Sequence, residues 1–126
     1  MIKVLLVGAG GFLGSVARYL IGGLVQAPLG EVFPYGTLAV NVVGCLLIGG
    51  LSELSEARSF LSPDARSFLF IGLLGGFTTF SAFGNETTNL LRDREWVFAG
   101  VNVMANVLLA IGAVLLGRVA AHLIWR

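Results

Sequence analysis

Four apolar runs, at about residues 4–25, 36–51, 67–91 and 97–121, take up most of the chain and leave only short polar connections between them. About 20 consecutive apolar residues wound as a helix cross a hydrocarbon core about 30 Å thick. A helix also satisfies its own backbone, which lipid cannot do for it. The expected fold class is therefore an all-α membrane protein, a single four-helix domain over residues 1–126. Composition agrees: 56% of residues are hydrophobic and 12% charged, the latter about half the share of an ordinary soluble domain. Mean hydropathy is +0.91. A net charge of +1 is too small to argue for nucleic acid as a partner. The single cysteine, Cys45, and single histidine, His122, exclude a disulfide framework or a His-rich metal centre within one copy.

The first run offers a false lead. Lys3 before an apolar stretch resembles a signal peptide, but Arg18 interrupts the stretch and three more spans follow. Gly8, Gly10 and Gly14 mimic the glycine fingerprint of a dinucleotide site, which needs strands alternating with helices and an acidic residue at a strand end. Here a Pro/Gly-rich loop from Gln26 to Tyr35 comes next, and then another membrane-length run. Gly10, Gly14 and Arg18 instead fall on one helix face. The glycines allow close helix approach, and Arg18 points inward, either to pair structurally or to attract anions at a pore mouth.

The other spans each carry polar groups. Thr37 and Asn41 share a face of the second; Asn41 either bonds neighbouring helices together or aims its amide at an anion. Ser62-Pro63-Asp64 reads as the cap opening the third span. Glu86, near the end of that span, reads as a solvated carboxylate. Asn102 and Asn106 form a stripe on the last helix, which Trp96 and Trp125 bracket. Four spans put both termini on one side. Lys3, Arg58, Arg66, Arg118 and Arg126 gather there against Arg92 and Arg94 opposite, a narrow bias toward cytoplasmic termini.

The stretch Gly72 to Thr88, GLLGGFTTFSAFGNETT, is the most informative. Gly75-Gly76 weakens the helix, so a break is expected over residues 75–79. Thr78, Thr79 and Ser81 place hydroxyls where a lipid-facing helix carries Leu or Ile. Phe80 and Phe83, three residues apart, project from nearly the same face. A broken membrane helix frees carbonyls for a cation, while hydroxyls, amides and positive ring edges suit a small anion. This much polarity in every span calls for an oligomer, most simply a dimer.

These residues resemble the Fluc/CrcB family of fluoride ion channels. The resemblance is carried by GGFTTFSAF at Gly75 to Phe83, GGFLGSVARY at Gly10 to Tyr19, NVVG at Asn41 to Gly44, and Asn106. It covers the whole chain. It implies a fluoride-selective channel in the bacterial plasma (inner) membrane, multi-pass, letting cytoplasmic fluoride leave passively. It further implies an antiparallel, dual-topology homodimer with two pores. Phe80, Phe83, Asn41 and Ser81 would lie along each pore, with Thr37 and Thr79 as further polar contacts. A central structural sodium ion would rest on backbone carbonyls, placed here on Gly75 and Thr78, and no organic cofactor is implied. Arg18 and Asn106 are carried over as structural intramembrane residues. No phosphate loop is present, and the chain reads as a channel rather than an enzyme. A small multidrug exporter would need a glutamate in the first span, which has none. A non-transporting assembly subunit would use the same polar residues only to hold helices together.

Overall fold

The computed structural model describes Met1–Trp125. Arg126, counted above among the basic residues of the terminal side, lies outside the described residues. The chain is all-helical, with no strand among the described residues. Among the described residues, four spans are long and apolar enough to cross a membrane: Ile2–Leu29, Tyr35–Arg58, Pro63–Arg92 and Trp96–Ile124.

The first helix, Ile2–Gln26, ends in a short 3-10 turn, Ala27–Leu29. The loop beyond is held by Gln26. Its Nε2 donates to the carbonyls of Gly30 and Phe33, and its Oε1 accepts from Gly36 N–H at 2.9 Å. Gly30 turns the chain at φ +85°, a conformation that side chains with a Cβ rarely adopt.

The second helix runs from Tyr35 to Arg58, past the expected end at residue 51, and stops at Ser59 in a left-handed conformation. Its last two turns carry Glu53 and Glu56, which meet the last helix. Arg118 forks onto Glu56 with two 3.2 Å bonds, and His122 Nδ1 lies 3.1 Å from Glu53 Oε1. Such exposed pairs add little stability. They do give these turns partners that a solvated connection would lack. Deeper in, Gly49 backs onto Val114, and Gly117 onto Leu46 and Gly50. The second and last helices thus share one of the two most extensive interfaces in the chain, the other being that of the first helix with the third span.

The third span opens as its sequence predicts, with Ser62 Oγ accepting Ala65 N–H at 3.1 Å and Pro63 in the first turn. Ser67–Leu74 then widens into a π-helix, a form concentrated at functional sites. This segment packs on the first helix, where Gly10 and Gly14 are buried. The break is narrower than expected. Gly75–Phe77 remains helical, and only Thr78 and Thr79 are extended before Phe80–Arg92 resumes the helix. The two glycines do not cause the break. A methyl on Gly76 would lie 2.7 Å from the Gly11 carbonyl oxygen, so its smallness serves close packing on the first helix.

Gly14 gives a direct test of that packing. An added methyl would overlap the Leu73 carbonyl oxygen and come within 2.9 Å of Phe77 N. Both obstacles are backbone and cannot rotate away. Gly14→Ala is expected to cost roughly 1–3 kcal/mol, the usual range for overpacking, read as a lower unfolding midpoint in detergent. Gly8→Ala, whose new methyl meets nothing within 4 Å, is the control expected to hold the midpoint.

Candidate functional site

The break at Thr78 and Thr79 organises the site. Thr78 closes the first half of the span by sending both its N–H and its hydroxyl to the Leu74 carbonyl, each at 3.0 Å. Thr79 is then paired by another helix. Its N–H donates to Asn41 Oδ1 at 2.8 Å, and its carbonyl accepts from Asn41 Nδ2 at 3.1 Å. One side-chain amide thus satisfies both backbone groups of an extended residue, as a neighbouring strand would. Thr79 Oγ1 caps the second half by accepting Ala82 N–H at 3.2 Å, the usual device at a helix start.

These bonds decide which groups the break releases. Thr79 N–H is spent on Asn41 and not on the Gly75 carbonyl four residues back. Ala82 N–H is spent on Thr79 Oγ1 and not on the Thr78 carbonyl. Gly75 and Thr78 therefore carry carbonyls without their helical partners. The N–H groups of Phe80 and Ser81 open the second half without an intrahelical acceptor. The two half-helix ends, negative at the carbonyls and positive at the amides, meet within a few residues near the middle of the span.

Two grooves meet at Thr79, which lines both. One, about 440 Å³, is lined by Phe80, Phe83, Asn41, Asn106, Gly75 and Thr78, among mostly apolar neighbours such as Phe70 and Ile111. The other, about 610 Å³, is lined by Arg18, Thr37, Ser81, Glu86 and Gln26. Along the spans, the first extends from Thr79 toward the end bearing the termini, and the second toward the Gln26 loop. The Phe80 and Phe83 ring centroids are 5.3 Å apart with planes at 48°. Phe83 is 8% exposed and belongs to the core; Phe80 is 82% exposed, so beyond its contact with Phe83 its ring is largely uncovered by the rest of the chain.

Behind the phenylalanine groove runs a chain of buried amides. Asn41 Nδ2 donates to Asn106 Oδ1 at 3.1 Å, and Asn106 Nδ2 to Asn102 Oδ1 at 2.9 Å. Asn102 Nδ2 donates to Thr87 Oγ1 at 2.9 Å, and Thr87 Oγ1 to the Phe83 carbonyl at 2.7 Å. Asn102 is fully buried and Asn106 nearly so. Both hydrogens of the Asn41 amide are committed here, one to Thr79 and one to Asn106.

The sequence-derived residues therefore divide. Phe80, Phe83, Asn41 and Asn106 share one groove with Gly75 and Thr78. Thr37, Ser81 and Arg18 share the other, and Thr79 joins them. Ser81 lies on the opposite side of Thr79 from the two rings that flank it in sequence. Arg18 makes no hydrogen bond or ion pair among the described residues and lines the polar groove. Glu86 is the residue misread from sequence. Its Oε1 accepts from Thr37 Oγ1 at 2.7 Å, while its buried Oε2 has no partner among the described residues. It is a half-buried wall residue, not a solvated carboxylate. Spacing carried a clue: Thr79, Ala82 and Glu86 stand at i, i+3 and i+7, one face of a helix started at the break.

Comparison with known proteins agrees with the resemblance drawn from these residues. The family described as CrcB-like protein, Camphor Resistance (CrcB), matches residues 5–118. A protein of Opitutus terrae named fluoride-specific ion channel FluC is 49% identical over 119 residues, covering 93% of this chain and 90% of its own. Proteins with the same name from Chlorobium chlorochromatii and Elusimicrobium minutum are 48% and 50% identical, covering 94% of this chain and 92% and 93% of theirs. With its four spans, the chain is a multi-pass membrane protein of the transporting kind rather than an enzyme, and it belongs to the CrcB family.

Proposed function

We propose that the protein is a fluoride channel that lets cytoplasmic fluoride leave the cell down its electrochemical gradient. The observation that carries this reading is the meeting of two grooves at Thr79, with the Phe80 and Phe83 rings on one side and Thr37, Ser81, Arg18 and the Ser81–Ala82 start of the second half-helix on the other. Fluoride is small and strongly hydrated, so a path for it must replace water with donors. It must also bind weakly enough to release the ion. Thr79 and Ser81, whose hydroxyls lie 3.3 Å apart and share one hydrogen between them, leave one hydroxyl donor in the polar groove, while the Thr37 hydrogen is held by Glu86 Oε1. The Phe80 and Phe83 rims, positive by their quadrupole, supply weaker partners in the other. The names of the similar proteins above support fluoride as the cargo.

The working unit we propose is an antiparallel homodimer with two paths in the bacterial inner membrane. Phe80 supports it: a ring 82% exposed can line a closed path only if a second copy supplies the opposite wall. A structural sodium ion fits the Gly75 and Thr78 carbonyls, which the break deprives of their helical partners. The Gly76 and Phe77 carbonyls, whose helical donors would be the Phe80 and Ser81 N–H groups, are freed with them, so one copy offers up to four such oxygens and a second copy would double them. Bound there, sodium would supply positive charge against the carbonyl end of the half-helix and a tie between copies. Asn41, with both hydrogens committed, serves this mechanism by holding the break open and Thr79 extended.

Purified protein in liposomes tests the reading. Fluoride-loaded vesicles are expected to release fluoride much faster than empty ones while chloride-loaded vesicles do not differ. Fluoride release no faster than from protein-free vesicles, or equal release of both halides, would sink it.

A further inference from the structure

We infer that Asn102 and Thr87 are positioning residues of the ion path, acting on both of its walls through the amide chain while touching neither groove. The inference rests on the fluoride-channel reading and deepens it. Neither residue lines either groove around the break, yet each occupies a fixed place in a directed series of donors. The series starts at the Asn41 amide that pairs Thr79. It passes through Asn106 and Asn102 of the last helix and returns through Thr87 to the Phe83 carbonyl. It therefore begins and ends on the broken span, once at the break and once behind the buried ring.

A primary amide presents a donor and an acceptor of nearly the same shape, so its orientation must be set by partners. Thr79 holds Asn41 from one side. Asn106 holds it from the other only while Asn106 keeps its oxygen toward Asn41 Nδ2. That orientation is set by Asn102, which accepts from Asn106 Nδ2 twice, through its backbone carbonyl and through Oδ1, each at 2.9 Å. Asn102 Oδ1 faces Asn106 because Asn102 Nδ2 is drawn to Thr87 Oγ1, whose own hydrogen is fixed on the Phe83 carbonyl. Thr87 is the only hydroxyl in the series. It lets a run of amides finish on a backbone acceptor, because it accepts and donates at one atom. Asn102 is wholly buried, and in that environment an unpaired amide is costly enough to enforce the arrangement. Its removal should loosen the orientation of Asn41 and the seat of the Phe83 half-helix together.

The test uses full-length protein in liposomes, with wild-type fluoride release as the reference that stands for the reading itself. Thr87→Val keeps the shape but loses both bonds; Thr87→Ser keeps the hydroxyl. Thr87→Val and Asn102→Leu are each expected to lower fluoride release by about ten-fold, the scale of one broken buried link. Thr87→Ser should restore it. The double variant Asn102→Leu/Thr87→Val should be no slower than the worse single one, since both cut the same series. Size-exclusion profile and helical content in detergent are read beside the flux. A variant that fails to assemble is replaced by Thr87→Ala, which leaves a small space and no overlap. The inference is overturned if Thr87→Val conducts as wild type does, if Thr87→Ser is as slow as Thr87→Val, or if the two losses multiply. Failure of the wild-type protein to release fluoride would instead overturn the channel reading.

Discussion

Asn41→Leu is expected to lower fluoride release by about thirty-fold or more, the largest single effect at the site. Leucine matches asparagine closely in shape but leaves the Thr79 N–H and carbonyl without partners and strands Asn106 Oδ1. Each unpaired buried group costs roughly 1–3 kcal/mol, and about 1.4 kcal/mol is a factor of ten. The break is then better satisfied by rewinding toward continuous helix, which would return Thr79 N–H to the Gly75 carbonyl and withdraw that oxygen from any cation. Asn41→Asp separates the parts: it keeps the acceptor for Thr79 N–H and loses both donated bonds. Release by Asn41→Asp should fall between wild type and Asn41→Leu. Wild-type release from Asn41→Leu, with the protein folded, would show that the break does not depend on this side chain.

Phe80→Ile is expected to lower fluoride release by about ten-fold without shifting the unfolding midpoint. The absence of a stability effect follows from exposure: the ring is 82% exposed, so its removal sacrifices little packing within the fold. A loss of flux would then report on the ring as a wall of the path. Phe83→Ile is expected to lower release too, but with a lower midpoint, because Phe83 is 8% exposed and replacing a buried large side chain costs stability as well. Measuring both quantities for both variants distinguishes path from packing. Unchanged release in both would reduce the pair to packing residues.

The spans were legible because twenty apolar residues in a row have few alternatives, and the ring pair because spacing of three fixes a shared helix face. The location of the break was not. Gly75 and Gly76 lower the cost of leaving the helix, yet both stay in it, and Gly76 serves as a close contact with Gly11 of the first helix. What opens the helix at Thr78 and Thr79 is a competing partner thirty-eight residues earlier in the chain, and no local pattern displays that. Ser81 differs: its separation from the rings follows from helix periodicity alone. Its neighbours Phe80 and Phe83 lie in one groove and it in the other, because successive helix positions point a hundred degrees apart. Glu86 was misjudged by its distance from the centre of the span. Depth says how close water is along the membrane normal, but Thr37 and Glu86 meet sideways, across a helix pair.

The pairing of Thr79 with Asn41 has a consequence for how the chain is made. A polypeptide enters the membrane from its N-terminus, so the second helix arrives with its amide before either Thr79 or Asn106 exists to meet it. In lipid an unmet polar group costs several kcal/mol, so this helix waits under load. The third span is no more self-sufficient, since its interrupted backbone is completed only by that waiting amide. The second amide hydrogen stays unsatisfied until the last helix brings Asn106. The order of synthesis thus ends with the piece that locks the arrangement, and a chain truncated before residue 106 would hold the break with nothing behind it.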